Sequence, residues 1–507
     1  AGRWLEAARY AFDAGALDDA RSHATTALRT ASDRRTRVGA RLLLVELAGE
    51  DHSGTGPLLD AAFCESAGIP DLTAHTRMYR AVKAYYDGDV EVALAELKRA
   101  EEAAEQCHDL ERLVEVLSWR GNILVGSEGD SELERAGQLA RGLPLTAATV
   151  GARQLGAMGR LFRGDVAEAV RRITALRAAV EQSGAVRELA AVLISVAGVY
   201  GRAGRCAEAL AAGRACVRLY VDVMSTPGPG LLVIAMAELN GGSVARAAEY
   251  ARQATAACLA AGDEDWIKLA SVTTGMIELA RGEPGTAAET LRRAYAVEQQ
   301  RGRVDPGQLL WHADFVEALV GAGSLAEAVE VLASVTASVD RLDRQVAHLG
   351  LARAGALVTA ASGRVRDAAD DLASAIDRWI DHPYPLEVAR AYHALGGLER
   401  RAHRRGAARA AYQEAERRYG LADAVPWREA AATDLARLNG GRGPGLSETE
   451  RRIVELVRAG ATNREIGRVL FLSVKAVEAN LTRLYRRLNV RNRAQLSQVL
   501  DDVTEVR

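Results

Sequence analysis

Across the first 438 residues, apolar positions recur at three- and four-residue steps with no strand-like alternation, which predicts helices. A glycine followed five residues later by an alanine punctuates the pattern: Gly88 with Ala93, Gly164 with Ala169, Gly204 with Ala209, Gly242 with Ala247, Gly282 with Ala287, Gly323 with Ala328, Gly363 with Ala368 and Gly406 with Ala411. The last seven of these glycines lie 40, 38, 40, 41, 40 and 43 residues apart, and an earlier copy is Gly15 with Ala20, with weaker ones near Gly54 and Gly126. A period near forty gives room for two helices and two short turns. In each unit a first helix, such as 266–281, ends on the glycine, and a second opens with small residues, as in Ala326-Glu327-Ala328-Val329. Small residues let the two helices approach closely, and the apolar positions left over must bury against the next pair.

The expected architecture is therefore all-α, a solenoid of about ten helix pairs over residues 1–438. It resembles tetratricopeptide repeats with helices longer than their usual unit. Pro-Gly stretches at 225–230 and 304–307 are expected between repeats, the first as a divide between two halves. Asn439-Gly440-Gly441-Arg442-Gly443-Pro444-Gly445 reads as a flexible linker, with a separate domain over 446–507.

The pattern in that domain is sharper. Ser447 with Glu450 and Thr462 with Glu465 are capping-box pairs, Gly460 ends the first of four short helices, and Ser473 is the expected N-cap of a helix running to about Leu488. Val474, Val477, Leu481, Leu484 and Leu488 form one stripe on that helix, expected to face Ile453, Leu456, Val457, Ile466 and Leu470. The opposite face carries Lys475, Glu478, Ala479, Thr482 and Arg486, flanked by Asn480, Arg483 and Arg487. From Phe471 to Arg493 six basic residues stand against one acid, the electrostatic footprint of a polyanion-binding surface. Two helices joined by the tight turn at 471–473, the second with such a face, make a helix-turn-helix.

This segment resembles the DNA-binding domain of LuxR-type transcription regulators. Leu446, Ser447, Glu450, Gly460, Thr462, Asn463, Glu465, Ile466, Leu470, Leu472, Ser473, Val477, Leu488 and Val490 stand in register with that family's pattern, while Thr449, Gly467, Ala476 and Asn480 replace its usual Arg, Ala, Thr and His. The resemblance implies base reading by Glu478, Ala479 and Thr482. Lys475, Asn480, Arg483, Arg486 and Arg487 would contact chiefly backbone, joined by Thr462, Asn463 and Arg464 from the preceding helix. A helical-repeat body carrying such a reader resembles the C-terminal part of the large ATP-binding regulators of the MalT-like group. In that group a P-loop NTPase module precedes the repeats, an inducer is sensed by the repeats, and oligomers act on promoters. The resemblance implies a cytoplasmic, sequence-specific regulator, expected to be an activator, whose partners are double-stranded promoter DNA, RNA polymerase and a second copy of itself.

Composition adds exclusions. None of the four lysines follows a glycine, so the chain has no P-loop, and the NTPase module is absent from it. No G-x-S-x-G or H-E-x-x-H motif occurs, so neither an enzyme nor a metal site nor a cofactor is expected. His312 beside Trp311 reads as packing, and Asp87, Asp89, Asp263 and Asp265 as helix caps. Five scattered cysteines with no C-x-x-C pair fit a reduced protein, and no apolar run approaches the ~18 residues of a membrane span. The net charge of −2 is uneven: from Arg442 onward 13 basic residues oppose 8 acidic ones, a net +5, which leaves −7 for the rest. The chain opens on Ala1-Gly2-Arg3-Trp4, without Met and already inside a helical pattern, as a piece of something longer would. The concave side of the solenoid is the expected place for a small-molecule inducer or protein partner, with Trp119, Trp266 and Trp311 as candidate lining residues against the plainer reading that they fill gaps between repeats. The alternative function is a protein-interaction scaffold whose last helices merely cap the solenoid.

Overall fold

The computed structural model describes residues 1–48, 54–124, 126–223, 226–262, 264–301, 305–439, 448–470, 472–487, 490 and 492–498. Its backbone packing divides the chain into two compact units, Ala1–Ala431 and Ala432–Arg507. Every element among the described residues is helical.

The first unit is a tetratricopeptide-like α-solenoid with eleven helix pairs among the described residues, slightly more than the ten or so expected. The pairs are α1 and α2 (Gly2–Asp13, Leu17–Thr30), α3 and α4 (Arg34–Glu46, Gly56–Ser66), α5 and α6 (Pro70–Tyr86, Val90–Gln106), α7 and α8 (Leu110–Ile123, Ser127–Ala140), α9 and α10 (Ala147–Phe162, Val166–Ser183), and α11 and α12 (Val186–Arg202, Cys206–Val223). They continue as α13 and α14 (Gly228–Gly241, Val244–Ala261), α15 and α16 (Glu264–Ala280, Pro284–Arg301), α17 and α18 (His312–Gly321, Leu325–Leu342), α19 and α20 (His348–Ala361, Val365–Arg378), and α21 and α22 (Pro385–Arg401, Arg405–Leu421). Helix α23 (Val425–Leu438) follows, and the division between the two units falls inside it.

The glycine-alanine device works as its chemistry demands. Gly88, Gly164, Gly204, Gly282, Gly323 and Gly363 take φ between 72° and 89°, the left-handed region that closes a helix cheaply only without a Cβ. The alanines five residues on, Ala93, Ala169, Ala209, Ala287, Ala328 and Ala368, are fully or almost fully buried where the paired helices cross. The last repeat corrects the sequence register. Gly406 lies inside α22, and His403, at φ 62°, makes the turn, with buried Ala408 five residues on. The irregular 43-residue step thus becomes a regular 40. Gly242 also departs from the pattern, with φ −126°.

The described part of the Pro-Gly stretch, 226–230, falls between repeats as expected, at the passage from α12 to α13, but it does not divide the solenoid, because α12 packs on α13 across it. Pro227 is the N-cap of α13, and Gly228, Pro229 and Gly230 form its buried first turn. A Cβ on Gly228 would lie 2.6 Å from Cys258 Sγ, and one on Gly230 2.8 Å from Tyr220 Cβ, so these glycines serve close packing of continuous repeats.

Consecutive odd-numbered helices pack on one another from α1 to α21, whereas even-numbered helices meet chiefly their odd neighbours. Layers of unequal spacing must curve, with the closely packed odd helices on the inside. The curvature is tight enough for successive turns of the coil to touch. Arg187 Nη1 donates to the carbonyl of Phe12 at 3.0 Å, and Tyr85 Oη lies 2.8 Å from the Asp265 carboxylate, across 175 and 180 residues. Arg344, 3% exposed, donates to Asp130 at 2.6 Å across 214 residues and to Asp305 at 2.7 Å. Tyr384 Oη donates to the carbonyl of Leu161 across 223. One coil of the solenoid therefore takes about five repeats.

Candidate nucleic-acid interface

The second unit holds α24 (Glu448–Arg458), α25 (Asn463–Leu470), α26 (Val474–Arg487) and α27 (Arg493–Gln498). Ile453, Val454, Val457, Ile466, Val477, Leu481, Leu484, Val490 and Leu496 bury together as its core, with Leu456, Leu470 and Leu472 partly buried at the edge. The stripe expected on α26 is thus largely its core face. Val474 is a correction, since it is 39% exposed: the first turn of α26 projects past the small core. Leu488, Ser447 and the side chain of Glu450 lie outside the described residues, as does the expected linker apart from Asn439.

Local chemistry sets the helix ends. At α25, the Thr462 amide donates to Glu465 Oε2 at 2.6 Å and the Glu465 amide to Thr462 Oγ1 at 3.4 Å, closing the second capping box. The Thr462 amide hydrogen bond, together with its hydroxyl, holds the Glu465 carboxyl below its ordinary pKa. Gly460, φ 80°, ends α24. Ser473 Oγ accepts from the Ala476 amide at 3.1 Å and so caps α26, supplying the helix start despite alanine at 476. Between α25 and α26 the Leu472 amide donates to the Gly467 carbonyl at 2.9 Å, and a Cβ on Gly467 would lie 2.6 Å from the Leu472 oxygen. The tightness of this turn explains the glycine.

Lys475, Glu478, Ala479 and Thr482 are all exposed on α26 and share one face. Asn480 is half-buried at the flank and donates from Nδ2 to the Ala476 carbonyl at 2.8 Å. The Thr482 hydroxyl donates to the Glu478 carbonyl at 2.9 Å, which leaves its methyl group and oxygen lone pairs for an outside partner. The backbone of Arg483, Arg486 and Arg487 is part of α26, and their side chains lie outside the described residues. At the start of α25, Thr462 and Arg464 are exposed and Asn463 is half-buried. One residue absent from the expected set emerges there: Arg493, from α27, donates to Asn463 Oδ1 at 3.1 Å and to the Ala461 carbonyl. It ties the carboxamide oxygen of Asn463 down and leaves the amide group as a donor. Its positive charge was legible in the sequence, its direction was not.

The three tryptophans of the body fall differently. Trp311 is 1% exposed and packs in a core of α15 to α19 residues, stacked on His312 at 4.4 Å. His312 in turn faces Glu298, Nε2 to Oε2 2.9 Å, consistent with the packing role. Trp119 is half-buried on the inner layer beside Tyr85 and Tyr86, with ring centroids 6.3 and 6.5 Å away. Trp266, also half-buried, follows Asp265, the residue that Tyr85 meets across the seam. No group of three or more metal-binding side chains occurs among the described residues, and no described helix is long and apolar enough to cross a membrane.

Residues 444–500 match the model of "Bacterial regulatory proteins, luxR family" and form a LuxR-type helix-turn-helix domain. Two curated proteins named "Putative HTH-type transcriptional regulator" are similar to part of this chain. They are YhjB of Escherichia coli (strain K12), 40% identical over 75 residues, and Mb0914c of Mycobacterium bovis, 37% identical over 83. The matches cover 15% and 14% of this chain, and the chain spans 35% of the length of YhjB and 9% of that of Mb0914c. Two solved structures are similar to the fold at low identity. Aspartyl phosphate phosphatase F from Bacillus subtilis has a TM-score of 0.41 and 12% identity, over 68% of this chain and 94% of that one. The Cut9-Hcn1 hetero-tetramer of APC/C has 0.46 and 14%, over 95% and 89%.

Proposed function

We propose that this chain is a sequence-specific DNA-binding transcription regulator, an activator of the MalT-like group, working in the cytoplasm on promoter DNA. The observation that supports it best is the exposed polar face of α26, held on a capped helix whose other side is core. A helix of this kind fits the major groove, with Glu478, Ala479 and Thr482 near base edges. Lys475, Asn480, Arg483, Arg486 and Arg487 would lie toward phosphates, with Thr462, Asn463 and Arg464 at the start of α25. The bond of Thr482 to its own helix favours readout through its methyl, the group that meets a thymine methyl.

A reader of this size buries modest area, so useful affinity calls for a dimer on paired half-sites, from which RNA polymerase would be engaged. Residues 1–438 would act as the body and 446–507 as the reader. The body would sense a small molecule or protein on its inner layer near Trp119 and Trp266. Trp311, buried in the core, would act there only through packing.

The full chain should selectively enrich fragments of genomic DNA. Lys475→Ala should weaken binding to all sequences and reduce the log-log salt dependence by about 0.9 for each phosphate it no longer neutralises. Thr482→Ala should instead change preference at a single base pair, by about 0.8 kcal/mol for the one buried methyl it loses. Equal effects of both changes on every sequence would refute the assigned roles. No enrichment at all would favour the scaffold reading.

A further inference from the structure

The body carries a net −7, yet three arginines gather at one edge of it. The turn joining α19 to α20 and the turn joining α21 to α22 lie side by side and enclose an open cavity of about 350 Å3, lined by Arg364, Arg366, Arg401 and His403 with a single acid, Asp367. All five are exposed. The other nearby acids are already engaged by one residue. Arg404 Nη1 donates to Asp370 at 2.7 Å and Arg404 Nε lies 3.0 Å from Glu399, while its Nη2 donates to the Arg366 carbonyl at 3.2 Å. Arg404 thus holds the two turns together and pairs with both carboxylates, offsetting one of their two charges. Arg401 is anchored by donation to the Ala360 carbonyl at 3.2 Å, a bond that leaves its charge uncompensated. Arg364 and Arg366 have no ion-pair partner among the described residues.

We propose that this edge is a second, sequence-independent contact to the phosphate backbone of duplex DNA. Three guanidinium groups facing one carboxylate in the lining leave an excess of positive charge that a polyanion can meet, and each phosphate so neutralised releases a condensed counterion. The lining is polar and open, unlike the largely apolar clefts that enclose small ligands, and suits a backbone passing across it. The proposal rests on the DNA-binding reading above. DNA held by the reader is tethered to the body through the chain itself, so even a weak backbone contact gains from a high effective concentration.

The test uses the full chain and a mixed-sequence duplex several helical turns long, titrated over a range of salt. Arg364→Ala/Arg366→Ala should weaken binding on every sequence and flatten the salt slope by roughly one to two units, at ~0.9 per phosphate. The thermal transition should not move, because neither side chain is paired. Arg364→Lys/Arg366→Lys should restore most of the slope, since a phosphate needs only the charge. Lys475→Ala is measured in parallel. If it flattens the slope and the double alanine variant does not, the edge proposal is overturned while the DNA reading stands. If the unmodified protein retains no duplex, both fall. An unchanged DNA slope, with a thermal shift by inorganic pyrophosphate that the double variant abolishes, would overturn the DNA contact in favour of a small anion.

Discussion

Replacing Arg344 with leucine should open the solenoid at its seam. The guanidinium is 3% exposed and makes five hydrogen bonds to two carboxylates, from 2.6 to 3.3 Å, one on α8 and one in the connection before α17. Burial alone would make its charge harder to hold, but the bonds to Asp305 and Asp130 outweigh this and strengthen its hold on its proton. Removing it leaves Asp130 and Asp305, 5% and 6% exposed, as uncompensated buried charges. Breaking a buried ion pair from one side costs about 3–5 kcal/mol. Asp130→Asn should cost less, about 1–3 kcal/mol, because the Arg344 to Asp305 bonds survive. Native-state hydrogen exchange would read the effect locally, as faster exchange at α8 and α18 than at α1 or α2. A triple variant, Asp130→Asn/Asp305→Asn/Arg344→Leu, should recover part of the loss, because a packed neutral seam carries no stranded charge. Protection in Arg344→Leu within about 1 kcal/mol of the unmodified protein would refute the view that this cluster joins the coils.

Ser473→Ala removes the cap of α26 and should destabilise the reader by ~0.5–2 kcal/mol, measured as an earlier thermal transition of that unit. Gly467→Ala drives a Cβ against the Leu472 oxygen, and strain of ~1–3 kcal/mol should appear with weaker DNA retention as the α25 to α26 turn shifts. Glu134 supplies a pH test. Burial pushes its carboxyl up, but hydrogen bonds from Arg172, Arg160 and Gln138 win and bring it down to about 2 from 4.5. The folded state then binds fewer protons than the unfolded one, so this hub stabilises fully above pH 4.5 and progressively less as pH falls toward 2. Glu134→Gln should flatten the stability profile in that window, as followed by circular dichroism during acid titration.

What could be read from the chain, and what could not, divides along the range of the interactions. Capping at Thr462 and Ser473, the glycine turns and the alanine crossings depend on neighbours within one or two helical turns, so spacing alone reveals them. The exposed face of α26 followed for the same reason, because a helix that buries one stripe must present the other. Errors arose where a local signal was ambiguous. Gly406 looked like a turn, but His403 takes the left-handed conformation three residues earlier, and Pro-Gly pairs at 227–230 looked like a break but begin a buried helix.

The sequence by itself determined an all-helical repeat, its period, and a capped reader helix with a polar side. Only the tertiary structure decided that the solenoid coils tightly enough for Arg344 to meet Asp130, that Arg493 orients Asn463, and that two turns forty residues apart pool their arginines into one basic edge. The physical reason is accumulation. Each repeat adds a small rotation that no local pattern encodes, and after about five repeats the sum fixes which distant charges become neighbours.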